Sequence, residues 1–333
     1  MNKIGIVVPY WSDIKKEELI EVARLAEELG YHSLWVPEMW GRDAFSILGL
    51  LATCTNKIKL GTGVIPVYSR TPAVIAQTLA TLDEISGGRM MLGLGTSGPA
   101  VIESWHGLKF EKPLQRTREY VEIIKMILDS KRANYEGEIF SLSGFRLQFS
   151  PLRSDVPVLV AAIGPKNITL TGEVADGWIP FMIPVEHIED ATEHLRRGAR
   201  SRGREPEKIM ICPYVTSLVS EDADSARSAV KEHIAYYVGG MGAFYRDTVS
   251  RYGFGDEARV IYDAWKKGGR NDAADGVSGR MLDSLSVSGD AAHGKSIINE
   301  YYRHGVDFPI LVFPPKASRP LVRETILGLA PGG

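Results

Sequence analysis

The sequence is poor in cysteine and has no excess of either charge. Its two cysteines, Cys54 and Cys212, are far apart in a chain of 333 residues, which excludes a disulfide framework and gives no metal-ligand spacing. The seven histidines are scattered without an H-x-x-x-H pair, so we expect no protein-bound metal. A formal net charge of -2, with no dense Lys/Arg run, argues against nucleic acid as a partner.

Long apolar runs are also missing. The run from Ile4 to Val8 is too short for a signal-peptide core and is interrupted by Pro9. No stretch approaches the ~18 apolar residues of a membrane span. We therefore expect a cytoplasmic protein with no membrane partner and a small-molecule substrate. Hydrophobic residues still make up 44% of the chain, which is enough apolar material for a large buried core.

Short apolar strand patterns alternate with amphipathic helical patterns along almost the whole chain. The eight strand patterns are KIGIVVP, HSLWVPE, KIKLGTGV, MMLGLG, VPVLVAAIG, DGWIPF, KIMICPYVTSLV and VDFPILVF. The eighth helical pattern is GKSIINEYYRHG, and no linker-like change of composition divides the chain. The pattern predicts an α/β fold with one domain over residues 1–333, a single (β/α)8 TIM barrel rather than two Rossmann halves.

Two stretches interrupt this alternation. Residues near 135–152 alternate between polar and apolar and contain glycines, which predicts a β-hairpin excursion. Residues near 240–288 include the polar, glycine-containing RNDAADG. We expect this second insertion to form a lid or wall beside the site.

The stretch LGLGTSGP contains Gly93, Gly95 and Gly98 in the spacing G-x-G-x-x-G. A dinucleotide-binding turn would need an acidic residue at the end of the next strand, roughly 20 residues on. The acidic residue near that distance is Glu119, which falls inside a predicted helix. The spacing therefore favours a packing role for Gly93, and unobstructed main-chain N–H groups for an anion at Gly95 and Gly98.

In a TIM barrel the reactive face is formed by the loops that follow the strands. Here those loops begin PYW, PEMW, TGVIP, GTSGP, AAIGPK and PFMIP. Small residues and backbone donors dominate, with aromatic residues between them. This composition suits a ligand with a flat ring system and a phosphate.

Four segments together resemble the luciferase-like monooxygenase superfamily: GRDAF, KLGTGV with TPAVIAQTLATLDEISGGRMMLGLG, EKPLQRTREYVEII, and AAIGPKNITLTGEVADGW. The resemblance covers nearly the whole chain and is closest to the branch that uses the deazaflavin coenzyme F420. It implies an F420-dependent oxidoreductase that passes a hydride between the deazaflavin and a C=O or C=C group. Two alternatives stay open, a reduced-FMN monooxygenase and a non-catalytic flavin-binding barrel protein. Members are often dimers, so a homodimer is expected.

The resemblance also implies a set of cofactor contacts at the barrel mouth. A non-prolyl cis peptide is expected between Gly63 and Val64, behind the ring. The residues expected near the cofactor are Met39, Thr62, Gly63, Val64, Gly95, Thr96, Ser97, Gly98, Ala161, Ala162, Gly164, Pro165, Lys166 and Trp178, with Phe181 as a further wall.

Glu38, at the end of the second strand, is the expected acid/base residue, with Tyr10 and His106 as further candidates. Alcohol-oxidising relatives have a histidine after the acidic residue, whereas this chain has Met39. Relatives with a carboxylate in the loop after strand four have it where this chain has Gly98. These two departures leave the substrate open.

Overall fold

The computed structural model describes residues 2–129 and 132–331. The strands are β1 (Gly5–Val7), β2 (Ser33–Val36), β3 (Lys59–Thr62), β4 (Ile65–Pro66), β5 (Met90–Gly95), β6 (Ala133–Glu136), β7 (Ser141–Phe145), β8 (Val158–Ala161), β9 (Gly177–Ile179), β10 (Met210–Ile211), β11 (Tyr214–Val219), β12 (Ser286–Gly289) and β13 (Ile310–Val312). The helices are α1 (Lys16–Glu28), α2 (Ala44–Cys54), α3 (Pro72–Ser86), α4 (Pro99–Ser104), α5 (Pro113–Leu128), α6 (Pro165–Val174), α7 (Ile188–Ser201), α8 (Ala223–Gly240), α9 (Ala243–Val249), α10 (Gly255–Lys266), α11 (Arg270–Asp275), α12 (Gly279–Leu285), α13 (Ala291–Arg303) and α14 (Arg319–Gly328).

The main sheet is parallel and curls into a barrel. Its strand order is β10-β9-β8-β5-β3-β2-β1-β13-β11-β12, and β4 adds to β5. The first and last parts of this order meet because β10 and β11 are consecutive in the chain: β10 pairs with β9, and β11 pairs with β13. The predicted TIM barrel is therefore confirmed.

The seventh predicted strand is divided in two at Pro213. Cys212 N donates to the Trp178 carbonyl, 2.8 Å away, whereas the carbonyl of Pro213 accepts from Ile310 N at 2.8 Å on the opposite side. Proline has no N–H to offer a ladder, so this residue marks the point where the chain changes partners. One uninterrupted strand was predicted here, and that part of the prediction was wrong.

The prediction missed the short elements β4 and α4, the helices of the second insertion, and two further elements. The first is β12, a buried strand of sequence SVSG that pairs with β11 outside the eight barrel strands. The second is α14, which follows the eighth barrel strand; Ser318 caps it by accepting from Leu321 N. Serine and glycine in SVSG suggest a loop by propensity alone, whereas the Ser-Arg-Pro start of α14 was a usable helix signal.

The second insertion is helical rather than a loop. Helices α9 to α12 occupy most of residues 243–285, and α10 and α11 pack against α8. The first insertion is the predicted antiparallel hairpin, formed by β6 and β7.

Glu119 anchors this hairpin to the barrel. Its fully buried carboxylate on α5 accepts hydrogen bonds from the backbone N–H groups of Glu138, Ile139 and Phe140, at 2.8 to 3.2 Å. Burial alone would raise the pKa of Glu119, but these donors and Gln115 outweigh it and hold the pKa below its ordinary value. The acidic residue that follows the glycine motif is thus a structural acceptor and does not contact a ribose.

Side chains of the barrel strands alternate between two cores. Those that point inward form the lumen cluster, which contains Val7, Trp35, Met91, Leu159, Ile179, Cys212, Phe308 and Ile310. Their neighbours in sequence belong to the larger core between the sheet and the surrounding helices. In the part of the chain that the structure describes, every helix is too short or too polar to cross a membrane. No group of three potential metal ligands comes together within residues 2–129 and 132–331.

Candidate active site

The mouth of the barrel lies above the lumen cluster. Val64, Ala161, Tyr214 and Val312 pack on the lumen cluster and are each only partly buried. Val64 follows β3, and Ala161 ends β8. The loops after β2, β5, β8 and β9 surround this group, so the predicted reactive face lies where the strand directions require it.

The floor of the mouth contains the bond that the family resemblance singled out. The peptide bond between Gly63 and Val64 is cis, as predicted. A Cβ on Gly63 would collide with the Tyr214 hydroxyl, and one on Gly95 would lie 2.8 Å from Val64 Cγ2. Both glycines are therefore required by close packing around Val64.

Tyr214 is a residue of the mouth that the sequence analysis missed. Its hydroxyl is buried and has no hydrogen-bond partner among the described residues, and burial raises the pKa of this phenol. A buried donor without a partner costs about 1–3 kcal/mol, which makes the phenol a natural contact for a ligand or a water. The only sequence signal was its place in a strand pattern directly after proline.

Thr62 was predicted to contact the cofactor, but the structure assigns it another task. Its side chain is fully buried; the hydroxyl accepts from Gly93 N and donates to Gly93 O, both at 2.8 Å. Thr62 lies on the outward face of β3 because side chains alternate along a strand, and it clamps β3 to β5. It shapes the mouth without lining it.

The loop after β5 places Thr96, Ser97 and Gly98 at the rim, all partly exposed. Ser97 has a φ of 56°, in the left-handed region that non-glycine residues seldom occupy. Gly98 has a φ of -116°, and a Cβ there would meet nothing within 4 Å. Gly98 is also the N-cap of α4, a position where glycine is favoured, and the space beside it is open.

The loop after β8 also has a glycine beside open space at the start of a helix. Gly164 is the N-cap of α6, its φ is -96°, a Cβ there would meet nothing within 4 Å, and no side chain caps the helix. Ile168 N is bonded back to Gly164 O, and Pro165 has no N–H, so the free donors of the first turn are the N–H groups of Lys166 and Asn167. Lys166 itself is exposed, and Pro165 is partly buried.

Trp178 and Ala162 do not line the mouth, contrary to the prediction. Trp178 is fully buried in the outer core, and its Nε1 donates to Ala162 O at 2.8 Å. The inward position on β9 belongs to Ile179, so the alternation of the strand turns Trp178 toward the helices. Phe181, two residues after β9, is partly buried, and its role as an aromatic wall stays a prediction.

The wall around Phe181 is completed by the second insertion and by α8. Its ring lies 4.8 Å from that of Tyr237 and 5.7 Å from that of Tyr245, both edge-on, measured between ring centroids. Tyr245 belongs to α9, the first helix of the insertion. A helix of the second insertion thus packs against Phe181, and its role as a wall beside the site stays a prediction.

Glu38 is held in an ion-pair network at the rim. Both of its oxygens accept from the guanidinium of Arg70, and Oε2 also accepts from Ala44 N at 3.1 Å. Arg70 bonds Asp43 as well, and the hydrogen bond to Glu38 raises the pKa of this arginine. Arg70 was missed by the sequence analysis because it follows β4, far from Glu38 in sequence.

Asp43 and Arg42 have structural partners, whereas the buried Tyr10 hydroxyl has no hydrogen-bond partner among the described residues. Asp43 caps α2 by accepting from Ser46 N at 2.7 Å, while Arg42 donates to the carbonyl of Ile14 at 2.6 Å rather than to Asp43. Tyr10 lies against Gly41, and burial raises the pKa of its phenol. His106 stacks on Trp105, with ring centroids 4.9 Å apart, on the far side of the β5 loop. Met39 is half-buried beside Glu38.

We expect a pH-dependent loss of stability from His233 on α8. Its Nδ1 lies 3.1 Å from Thr216 Oγ1, and burial lowers its pKa from 6.5 to about 4. Between these two values the unfolded chain binds the proton more readily, so the free energy of unfolding should fall as pH drops from 6.5 to 4, by at most about 3 kcal/mol for this group.

Urea titrations at several pH values measure this slope. His32, whose pKa is also lowered to about 4, contributes in the same window. The His233→Asn variant should lose the His233 part of the slope and keep the part from His32 and from carboxylates whose pKa is lowered, such as Glu27 and Glu119. An unchanged slope in that variant would contradict the assignment.

The structure is thus a parallel (β/α)8 barrel whose mouth is bordered by two glycine-containing loops, each leading into a helix without a side-chain cap. The family model described as luciferase-like monooxygenase matches residues 6–307. The chain belongs to the luciferase-like monooxygenase family.

Individual relatives cover nearly the full length. A Mycobacterium tuberculosis protein named for coenzyme F420-dependent oxidoreductase activity is 32% identical over 327 residues, covering 93% of this chain and 94% of its own. A 5,10-methylenetetrahydromethanopterin reductase of Archaeoglobus fulgidus is 33% identical over 310 residues, 91% of each chain. The structure of the coenzyme F420-dependent tetrahydromethanopterin reductase of Methanopyrus kandleri superposes with a TM-score of 0.83, at 26% identity and 98% coverage of each chain.

Proposed function

We infer that this protein is a coenzyme F420-dependent oxidoreductase that transfers a hydride between the deazaflavin and a C=O or C=C group of an organic substrate. The observation that carries the inference is the full-length similarity to relatives named for F420. The mouth also has apolar side chains, an unpartnered hydroxyl and open space beside two glycines. It agrees with the function implied by the sequence resemblance.

The residues of the mouth fit a phosphorylated tricyclic ring. Val64 and Ala161 offer a flat apolar support, and the buried Tyr214 hydroxyl offers an unused donor. The open space at Gly98 and Gly164 admits an anionic tail to main-chain N–H groups. The uncapped start of α6 adds the favourable end of a helix dipole.

When bound, the deazaflavin supplies a hydride at its C5. The protein's own residues then have three tasks. Gly63, Val64 and Ala161 support the ring, while the Ser97 and Lys166 loops hold the tail. The wall around Phe181 restricts water at the mouth, which favours transfer to the substrate over side reactions.

We propose that Glu38 acts at the rim mainly by positioning the loop after β2. Its carboxylate already receives two hydrogen bonds from Arg70 and one from Ala44 N. A carboxylate that accepts three hydrogen bonds is fixed in orientation, which suits a positioning role.

A binding titration tests the proposed function. The purified protein should quench or shift the fluorescence of reduced coenzyme F420 with a Kd at least tenfold below that for reduced FMN. A preference for FMN, with oxygen consumption, would identify a monooxygenase instead. Tight F420 binding without hydride transfer to any carbonyl or enone would identify a non-catalytic binding barrel.

The Gly164→Asp variant is expected to weaken cofactor binding without lowering the free energy of unfolding. Aspartate is a good N-cap and a Cβ at this position has free space, so the free energy of unfolding should stay equal or rise by up to about 1 kcal/mol. The added carboxylate would face the cofactor's anionic tail, so F420 affinity should fall about tenfold or more. Gly164→Asn is the matched neutral control and should lose less affinity. Equal losses in both variants would assign the effect to size alone.

We further propose a homodimer in the cytoplasm. The exposed Val74 and Ile85 on α3, next to the apolar α2, support an apolar face for a second copy. Sedimentation equilibrium of the wild type and of a Val74→Asp, Ile85→Asp variant tests the dimer.

A further inference from the structure

Two tryptophans stand exposed together at the rim. Trp40 is 54% exposed and Trp105 is 51% exposed, although their ring centroids lie only 6.5 Å apart at an interplanar angle of 60°. Both indoles remain about half exposed, although the His106 ring lies 4.9 Å from that of Trp105, measured between ring centroids. We call Trp40 and Trp105 the tryptophan corner.

The tryptophan corner is formed by two segments that follow neighbouring parts of the barrel sheet. Trp40 belongs to the loop after β2, and Trp105 directly follows α4, beyond the loop after β5. In the sheet β3 lies between β2 and β5, so the two indoles meet across the end of β3. The bond from Gly63 to Val64 is at that strand end. The corner thus lies at the same end of the barrel as the proposed cofactor ring.

The charges around the corner are already engaged. Arg70 binds Glu38 and Asp43, and the Arg42 guanidinium is turned toward the carbonyls of residues 11–14. In the described loop 37–43 no cation is left to receive a phosphate or a carboxylate of a substrate. The surface offered by the corner is apolar and aromatic.

We propose that the tryptophan corner is the substrate subsite and that it takes a neutral, planar conjugated ring attached to the reacting C=O or C=C group. The ring lies on the face of one indole with an edge toward the other, as aromatic pairs prefer. The inference rests on the proposed function for its chemistry: the hydride and one solvent proton add across the double bond, and the reduced coenzyme is oxidised.

Two matched enones test the proposal. Benzylideneacetone and 3-penten-2-one carry the same reacting group, with a phenyl ring in one and a methyl group in the other. Stacking on one indole is worth about fivefold in affinity, so Trp40→Ala and Trp105→Ala should each lower kcat/KM for benzylideneacetone about fivefold, through KM. The kcat/KM for 3-penten-2-one should change less than twofold. Trp40→Phe and Trp105→Phe should keep most of the activity, and Leu152→Ala, an exposed apolar residue elsewhere, is the control.

Calorimetry of both enones with wild type and variants gives a second measurement that does not need turnover. The wild type should bind benzylideneacetone more tightly than 3-penten-2-one, and the alanine variants should lose this difference. No difference in the wild type, or equal losses for both enones, would overturn the proposal. Dissociation of a dimer by the alanine variants with unchanged enone preference would show that the corner is covered by a second copy, and would overturn it too. Failure of the wild type to bind F420 would instead refute the proposed function, and calorimetry would still decide the subsite.

Discussion

Replacing Gly93 with alanine is expected to remove most of the folded protein. A Cβ at this position would collide with the carbonyl oxygen of Thr62 and would lie 3.0 Å from Val64 Cγ1. The obstacle is backbone, and the Thr62 hydroxyl already bonds both N and O of Gly93, so neither strand can move without losing those bonds. We expect a loss of at least about 3 kcal/mol in the free energy of unfolding.

Soluble yield and urea-unfolding midpoints measure this loss. Gly49→Ala is the matched control, because that glycine lies inside α2 and its nearest obstacle to a Cβ is Leu82 Cδ2 at 3.7 Å. Alanine there should be neutral or stabilising by up to about 1 kcal/mol. An unfolding midpoint of Gly93→Ala equal to that of the wild type would show that packing does not fix this glycine.

Removing the Arg70 guanidinium is expected to have the largest effect on activity. In Arg70→Met the carboxylates of Glu38 and Asp43 lose their shared cation and repel each other at the rim. Tyr120, whose hydroxyl donates to the Arg70 carbonyl, would still hold the backbone. We expect kcat/KM to fall about tenfold to a hundredfold, because one partner of a largely desolvated pair is left alone.

Glu38→Gln distinguishes the two possible roles of Glu38. The amide oxygen can still accept from Arg70 and Ala44 N, so a positioning role predicts a loss of about threefold with an unchanged pH profile. A proton-transferring role predicts a loss of about 10²–10⁴-fold and the disappearance of one limb of the profile. Arg153→Met is the control. Arg153 pairs with the buried Asp83 of α3 and also donates to the Met90 carbonyl at the start of β5. Its loss should lower stability while leaving the activity of the folded protein unchanged.

The roles of the glycines in the G-x-G-x-x-G motif could be predicted only in part from local sequence. Spacing alone suggested a dinucleotide turn, and the lack of a suitably placed acidic residue argued against it. The structure then separates the three glycines: Gly93 and Gly95 are required by packing, whereas Gly98 has open space. The packing role predicted for Gly93 agrees with the structure, and the ligand-binding role of Gly98 stays a prediction. The close approach of Val64 to Gly95 depends on a neighbouring strand.

The sequence by itself determined the kind of elements, their alternation and the closed barrel, because strand and helix periodicity and caps such as Asp43 and Thr71 act within a few residues. The tertiary structure decided which residues far apart in sequence become neighbours. It turned Trp178 and Thr62 away from the mouth, paired Glu38 with Arg70, and brought Trp40 to Trp105. The direction in which a side chain points depends on strand register, and its partner depends on which strands lie side by side; both are set only when the barrel closes.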